Sequence, residues 1–229
     1  MLAICFREFR SMFKSIRSFI IIGAIFGVTV GSAKLVSNFQ TQLGKLGVND
    51  SPYAAGLLII ILLASPLFVS TLSHNVINEE VKTRTIRFIA TKTSREKIIL
   101  GKFLGILFFW FTCIFVASLL LIPFSKTFHY LELLQSVIFV TYFIGLCIAL
   151  STIISKPGIT SFLSMALSIA LTFLGLWSMI SDNIYLKIYS YITPYYYFNQ
   201  ENEYLTLIVI IFPAIFLLFS LIIFRKKDL

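Results

Sequence analysis

Long apolar stretches alternate with short polar segments along most of this chain, and the pattern predicts membrane-spanning helices. A helix needs about 20 mostly apolar residues to cross the hydrocarbon core of a bilayer. Six stretches reach or approach that length: 18–35, 53–73, 103–124, 133–154, 159–180 and 205–224. The first includes Lys34 because its aliphatic stem lets the ammonium reach the membrane surface. The sequence therefore predicts an all-α integral membrane protein in which residues 1–229 form a single transmembrane domain with six spans.

Composition supports lipid as the main solvent of this chain. Hydrophobic residues make up 58% of it, charged residues only 13%, and the mean hydropathy is +0.93. A soluble domain carries about 25% charged residues. The net charge of +9 could indicate a nucleic-acid partner, but the basic residues lie at the edges of the apolar stretches, as membrane orientation requires. We therefore expect membrane lipids and no nucleic acid as partners, and the three widely spaced cysteines predict no metal site.

The distribution of lysine and arginine predicts which side of the membrane each loop occupies. Fifteen of the 19 basic residues fall in 1–17, 74–102, the turn at Lys156 and the last five residues of the chain. The other four are Lys34, Lys45, Lys126 and Lys187. The positive-inside rule then places both termini in the cytoplasm, in a multi-pass protein of the cell membrane. Richness in Ile, Lys and Phe suggests a bacterial origin.

The first 17 residues have the pattern of an amphipathic helix. One face carries Leu2, Phe6, Phe9, Phe13 and Ile16, and another carries Arg7, Arg10, Lys14 and Arg17. Such a helix lies in the membrane interface with its basic face toward lipid phosphates. The alternative is a soluble helix that packs on a partner.

Span one contains a stripe of small residues, Gly23, Gly27 and Gly31. Glycines four residues apart leave a groove into which another helix can settle, and such contacts drive helix association in lipid. The sequence predicts helix packing along this stripe. The neighbour can be span five of the same chain or a span of a second subunit, and the third alternative is that the glycines face lipid.

Two of the connecting segments have features of their own. In the cytoplasmic loop 74–102, Thr93 and Glu96 form a capping box that predicts a helix running into span three. The outer loop 181–204 contains seven tyrosines, which favour the headgroup layer. We expect a re-entrant or interfacial helix there, broken at Pro194, although an ordinary aromatic belt would have the same composition.

The chain lacks the motifs that would let it supply its own energy. It has no Gly-x-x-x-x-Gly-Lys-Ser/Thr phosphate loop, and its spans lack the buried ionisable residues typical of ion-coupled carriers. Glu79, Glu80 and Arg84 match the Glu-Glu-x-x-x-Arg signature of a family of intramembrane proteases, but His74 and His129 lack the setting that such a site requires. We therefore expect a protein that is not an enzyme, with the protease as a disfavoured alternative.

The loop after span two resembles that of the ABC-2 type transporter permeases. Their pattern is an acidic residue, Gly-Thr, an apolar stretch, Pro, Ser-Arg, and a Gly-Lys pair that opens span three. The matching residues here are Glu80, Thr85, Ser94, Arg95, Gly101 and Lys102. Arg84 stands where the family has glycine, and Lys92 where it has proline. The six spans, the N-terminal helix, the aromatic outer loop and the ending Phe-Arg-Lys-Lys-Asp-Leu extend the resemblance over the whole chain.

The resemblance implies a permease subunit of an ATP-driven ABC exporter. Its partners would be two copies of an ATPase subunit, which bind ATP and magnesium, and a second permease, identical or related. The coupling loop 74–102 would dock into the ATPase through Glu79, Glu80, Arg84, Thr85, Ile86, Arg87, Phe88 and Ile89. A pathway without charges suits an amphipathic or hydrophobic solute, such as a peptide toxin, a bacteriocin, a lipid or a drug. The alternative from another class is a membrane immunity or sensor protein that transports nothing.

Overall fold

The computed structural model describes residues 1–45, 52–86, 91, 93–181, 183–198, 200 and 203–226. Throughout these residues the chain is helical and forms no strand. Its α-helices are α1 (Leu2–Phe13), α2 (Ile16–Lys45), α3 (Ala55–Ser73), α4 (Asn78–Lys82), α5 (Arg95–Leu119), α6 (Ile122–Ser125), α7 (Tyr130–Ile153), α8 (Pro157–Ile180), α9 (Ile184–Ser190), α10 (Pro194–Phe198) and α11 (Ile211–Lys226). Short 3₁₀ helices at Pro52–Ala54 and Glu203–Ile210 precede α3 and α11.

Six segments of the described chain are long and apolar enough to cross a membrane. They are Ile16–Asn38, Gly56–Lys82, Arg95–Ser125, Tyr130–Ile153, Pro157–Ile180 and Tyr204–Lys226. The prediction of an all-α protein with six membrane-spanning helices is therefore confirmed. Span three extends about two turns before the predicted 103–124, because α5 begins at Arg95 and includes Gly101 and Lys102.

Helix α7 lies at the centre of the bundle, where it packs against α3, α5 and α11. Its side chains Phe139, Phe143, Ile144 and Ile148 are fully buried. The outer helices α2 and α11 leave most of their apolar side chains on the surface, among them Phe19 and Ile222. Because lipid is as apolar as these side chains, a membrane helix can expose them without the penalty that water would impose.

Both termini lie at the same end of the bundle, which we name the terminal end. The carbonyl oxygen of Met1 would be 3.1 Å from a Cβ placed on Gly101, and the Arg95 guanidinium donates to the carbonyl oxygen of Arg225 at 2.8 Å. Since Gly101 and Arg95 are both in the first turns of α5, Met1 and Arg225 lie at the same end of the bundle. This agrees with an even number of spans.

The start of α5 differs from the predicted capping box. Ser94, rather than Thr93, is the residue before the first helical turn, and its side chain makes no capping hydrogen bond. The carboxylate of Glu96 instead pairs with Arg225 of α11. The acidic residue in this first turn thus ties the start of span three to the end of span six.

The outer aromatic segment forms two short helices, α9 and α10, as the prediction of a break at Pro194 requires. Tyr195 is fully buried, and its hydroxyl donates to the carbonyl oxygen of Leu62 at 2.9 Å. A Cβ on Gly175 would come within 2.2 Å of the Tyr195 ring, so this glycine makes room for it. Other tyrosines of the segment, including Tyr185 and Tyr204, are exposed and suit a headgroup layer.

Candidate functional site at the terminal end

A cluster of four charges, built around the buried Lys102, joins three separate parts of the chain at the terminal end. Arg7 and Glu8 come from α1, Glu80 from α4, and Lys102 from the third turn of α5. Most of these pairs join distant parts of the sequence, and the positions of Glu8 and Lys102 differ by 94. Two cations and two anions make the cluster neutral, which is the condition for charges to persist out of contact with water.

Lys102 is the centre of this cluster. Its side chain is 1% exposed, and its Nζ lies 2.9 Å from Glu8 Oε1 and 3.1 Å from Glu80 Oε1. It also donates to the carbonyl oxygen of Val76 at 2.7 Å. Lys102 thus donates hydrogen bonds to Glu8 and Val76 and forms an ion pair with Glu80. These contacts offset the cost of burying its ammonium group.

Arg7 closes the cluster from the surface side. Its Nη2 is 2.9 Å from Glu8 Oε1 and 2.5 Å from Glu80 Oε1, while about half of its side chain remains exposed. Burial raises the pKa of the Glu8 carboxyl, but the ion pairs with Lys102 and Arg7 lower it by more, so the pKa lies below its ordinary value. Glu8 is consequently ionised at neutral pH.

Close backbone contact holds α1 against α5. A Cβ on Gly105 would lie 2.7 Å from both the carbonyl oxygen of Cys5 and Glu8 Cβ, and one on Gly101 would lie 3.1 Å from Ile4 Cβ. Farther along, the rings of Phe13 and Phe109 meet edge to face at 4.8 Å between centroids. Successive residues of α1 thus meet successive residues of α5, and the two helices run in the same direction. The N-terminal helix packs on its own chain, and only part of its surface remains for lipid.

The helix predicted over residues 1–17 ends at Phe13, so that Lys14 lies in the turn that follows α1 and Arg17 lies in the first turn of α2. Arg7 turns into the charge cluster, whereas Arg10, Lys14 and Arg17 are exposed. The apolar residues Leu2 and Phe6 are also exposed, at 66% and 70%. The exposed side chains of this segment thus include both apolar and basic residues, as in the predicted interfacial helix, but α1 runs alongside the membrane-spanning helix α5.

The predicted docking residues of the coupling loop separate into three groups. Glu79, Arg84 and Thr85 are exposed, and Glu80 is largely enclosed in the charge cluster. Ile86 is 1% exposed and belongs to the hydrophobic core of this chain, so its side chain is not presented to a partner as we expected. The remaining predicted residues, Arg87, Phe88 and Ile89, lie outside the described residues.

Arg84 adopts a backbone conformation that favours glycine. Its φ is 59°, in the left-handed region that side chains with a Cβ rarely enter. The ABC-2 pattern has glycine at this place in the loop, and the turn after α4 therefore has the geometry that a glycine would supply. Keeping an arginine there costs about 1 kcal/mol or more.

The glycine stripe of α2 makes no close contact with the part of the chain that the structure describes. A Cβ placed on Gly23, Gly27 or Gly31 would meet no atom within 4 Å. Span five of the same chain is thus excluded as the neighbour, which leaves a second subunit or lipid. The tight glycine contact of α2 is at another place, where Gly56 of α3 meets the side chain of Ser32.

Buried hydroxyl groups form a seam between α3 and α8 that the sequence analysis did not predict. Thr160, Ser164, Ser168 and Thr172 recur at every fourth position of α8 and are all buried. Asn78 Nδ2 donates to Thr160 Oγ1 at 2.5 Å, the hydroxyl of Ser70 contacts that of Ser168, and the hydroxyls of Tyr195 and Thr172 lie 3.1 Å apart. Small hydroxyl side chains let helices approach and bond in lipid. Their four-residue spacing is the signal that could have revealed the seam.

The charge cluster borders an open cleft of about 390 Å³ between α1 and the end of α3. In the part of the chain that the structure describes, no group of three His, Cys, Asp or Glu side chains is placed to hold a metal ion. The cluster has no arrangement of a nucleophile beside a base. Its chemistry is that of a fixed, neutral ionic joint between helices.

The lowered pKa of Glu8 predicts how stability depends on pH. Because the folded value lies below the unfolded value of about 4.5, ionised Glu8 stabilises the fold fully above that pH. The stabilisation is lost as the pH falls through the lower, folded value. We expect the melting temperature in detergent to fall on acidification through this window, and the Glu8→Gln variant to show a shallower fall. Equal slopes for the two proteins would contradict the ion pairing.

Comparison with protein-family models and with curated proteins yields no match to this chain. The resemblance of the loop to ABC-2 permeases therefore remains the basis for a proposal about function.

Proposed function

We propose that this chain is the membrane-spanning permease subunit of an ATP-driven exporter of the ABC-2 type, powered by a separate ATPase subunit. The observation that carries the proposal is the placement of Glu80. It follows directly on the exposed Glu79 and lies shortly before the exposed Arg84 and Thr85, and it is paired to Lys102 of α5 and Arg7 of α1. The surface offered to a partner is thus joined to two helices by ion pairs.

Such a joint suits the transmission of movement from an ATPase to the membrane spans. A displacement of the loop would leave the buried ammonium of Lys102 without an acceptor unless α5 and α1 moved with it. Breaking a buried ion pair costs about 3–5 kcal/mol, so concerted movement is favoured. Energetic coupling between distant sites is carried by contiguous packed and ionic contacts of this kind.

The glycine-like backbone conformation of Arg84 also supports the proposal that this chain is an ABC-2 type permease. The ABC-2 pattern has glycine where this chain has Arg84, and the backbone of Arg84 adopts a left-handed conformation that glycine favours. In this chain the arginine adds an exposed positive charge at the tip of the turn. That charge fits a partner groove with acidic residues, where it would set orientation.

The arrangement gives little support to the intramembrane protease. Glu80 is bound in the cluster, and His129 pairs with Glu132 at 3.2 Å at the start of α7. The other end of α7, after 24 residues, contacts Asn78. Its length of about 36 Å separates His129 from the two glutamates.

The solute would pass at the interface of two permease subunits. The hydroxyl side chains of the seam are buried within one chain, whereas α2 and α11 present exposed apolar side chains. With a second permease, identical or related, these apolar side chains would enclose a path without charges. An amphipathic or hydrophobic solute suits this path, and its export would consume ATP and magnesium bound by the ATPase.

Charge reversal at Arg84 tests the docking surface. The Arg84→Glu variant is expected to recover about tenfold less ATPase with the tagged permease, because a repulsive contact of about 1.4 kcal/mol replaces an attractive one. Lys126→Glu is the matched control, since Lys126 is also exposed and has φ 58° but lies at the other end of the bundle. Recovery that is equal for the two variants would contradict docking at Arg84.

A further inference from the structure

The cleft beside the charge cluster has two chemically different ends. One end is formed where α1 turns into α2, by Ser15 and Arg17 together with Thr71 of α3. The other end is formed by Asn75, Glu79 and Glu80, one to two turns farther along the chain from Thr71. The first end offers hydroxyl groups and an exposed guanidinium, and the second offers carboxylate and amide oxygens. A ligand that fills the cleft must therefore be anionic at one end and a hydrogen-bond donor at the other.

Two acceptors at the second end have no partner within the described chain. Asn75 Oδ1 and Glu80 Oε2 are both buried and make no hydrogen bond, although the other oxygen of Glu80 serves Arg7 and Lys102. A buried acceptor without a donor costs about 1–3 kcal/mol. The ammonium of Lys102 does not supply the missing donor, because it is directed at Glu8 Oε1, Glu80 Oε1 and the carbonyl oxygen of Val76. Both oxygens lie just beneath the cleft surface, beside the exposed carboxylate of Glu79. A primary ammonium group bound at Glu79 would satisfy them when the Asn75 and Glu80 side chains turn toward it.

An exposed apolar stripe leads along α3 to the cleft. Ile59, Leu63 and Leu67 are 55%, 47% and 36% exposed and recur at every fourth residue, and Thr71 continues their line into the cleft. Residues four apart lie on one side of a helix. The apolar track ends at the phosphate-suited end of the cleft, and the ammonium-suited end lies beyond it. This order is that of acyl chain, phosphate and amine in a phospholipid.

We propose that this cleft binds the headgroup of phosphatidylethanolamine, with the phosphate at Arg17 and Ser15 and the ammonium at Glu79, Glu80 and Asn75. Equal numbers of cations and anions line the cleft, namely Arg7, Arg17 and Lys102 against Glu8, Glu79 and Glu80. This balance fits a zwitterion better than an anionic lipid. The inference does not depend on the transport function, since a bound lipid would brace α1 against α3 in any membrane protein with this fold.

Native mass spectrometry of the full chain in detergent tests the proposal with defined lipids. Phosphatidylcholine is the matched probe, because methylation removes the three N–H donors of the amine and leaves the phosphate. We expect phosphatidylethanolamine to bind about tenfold more tightly than phosphatidylcholine or phosphatidylglycerol. Equal binding of the ethanolamine and choline lipids, or preference for the glycerol lipid, would overturn the proposal.

Two variants separate the ends of the site. Arg17→Gln should weaken binding of all three lipids, because each has the phosphate, whereas Glu79→Gln should weaken phosphatidylethanolamine alone. Both side chains are exposed, so neither change threatens folding, and Lys126→Gln at the far end serves as the control. Unchanged lipid preference in both variants would place the lipid elsewhere. If water-soluble glycerophosphoethanolamine competes with an affinity equal to that of the lipid, the ligand is a soluble solute and the lipid assignment is wrong.

Discussion

Replacing Lys102 with methionine is expected to lower the unfolding free energy by about 3–5 kcal/mol, the usual cost of breaking a buried ion pair on one side. The variant leaves Glu8 and Glu80 facing each other with only the half-exposed Arg7 as a counterion. The methionine fills a similar volume, so the loss is electrostatic rather than a packing defect. Thermal unfolding of the purified chain in detergent measures it.

Two further variants test whether the loss of stability comes from the charge cluster. Lys82→Met removes an exposed lysine from α4, close to the cluster, and should change stability by less than about 0.5 kcal/mol. Adding Glu8→Gln to Lys102→Met should restore part of the lost stability, because residues of one ionic network are not additive. A Lys102→Met protein as stable as the wild type would show that the cluster does not hold the terminal end together.

Replacing Gly105 with leucine is expected to displace α1 from α5. The new Cβ would lie 2.7 Å from the carbonyl oxygen of Cys5, a backbone atom that cannot rotate away. Overpacking of this kind costs about 1–3 kcal/mol or more. Cys5 is 4% exposed in the wild type and should become reactive to maleimide when α1 moves, which peptide mass spectrometry can quantify.

The matched control is the same substitution at Gly27. Its Cβ would meet nothing within 4 Å, so Gly27→Leu should leave the folded chain and the protection of Cys5 unchanged. If a second subunit packs on the stripe of α2, this variant will instead reduce the higher assembly on a native gel. Protection of Cys5 that is equal in Gly105→Leu and Gly27→Leu would contradict the seating of α1 on Gly105.

The membrane spans could be predicted from sequence because they depend on one local property, the length of an apolar stretch. Each needs only an unbroken apolar stretch of sufficient length, and neighbouring residues supply all of that information. The break at Pro194 was predictable for the same reason, since proline lacks an N–H and restricts the residue before it. The start of span three was predicted too late in the sequence. Lys102 was assigned to the end of a loop, but in the structure its ammonium is paired within the protein and it belongs to α5.

The charge cluster could not be predicted, because its members meet only in three dimensions. Glu8 is the single acidic residue in the first 17, but nothing local connects it with a lysine 94 positions away. The same limit applies to the glycines. Gly23, Gly27 and Gly31 form the more regular stripe, yet it is Gly101 and Gly105 that make close contact with α1. Spacing shows that close packing is possible, whereas the partner depends on the whole fold.

Photocrosslinking from position 85 tests the central proposal most directly. Thr85 is exposed beside Arg84, and a photoreactive amino acid placed there would lie within reach of a docked partner. In membranes of the native host, we expect an adduct with a subunit that carries a Gly-x-x-x-x-Gly-Lys-Ser/Thr phosphate loop, and no such adduct from position 126. Crosslinking at position 85 that yields no ATPase subunit, while the protein is folded and in the membrane, would contradict the account of this chain as a permease driven from that loop.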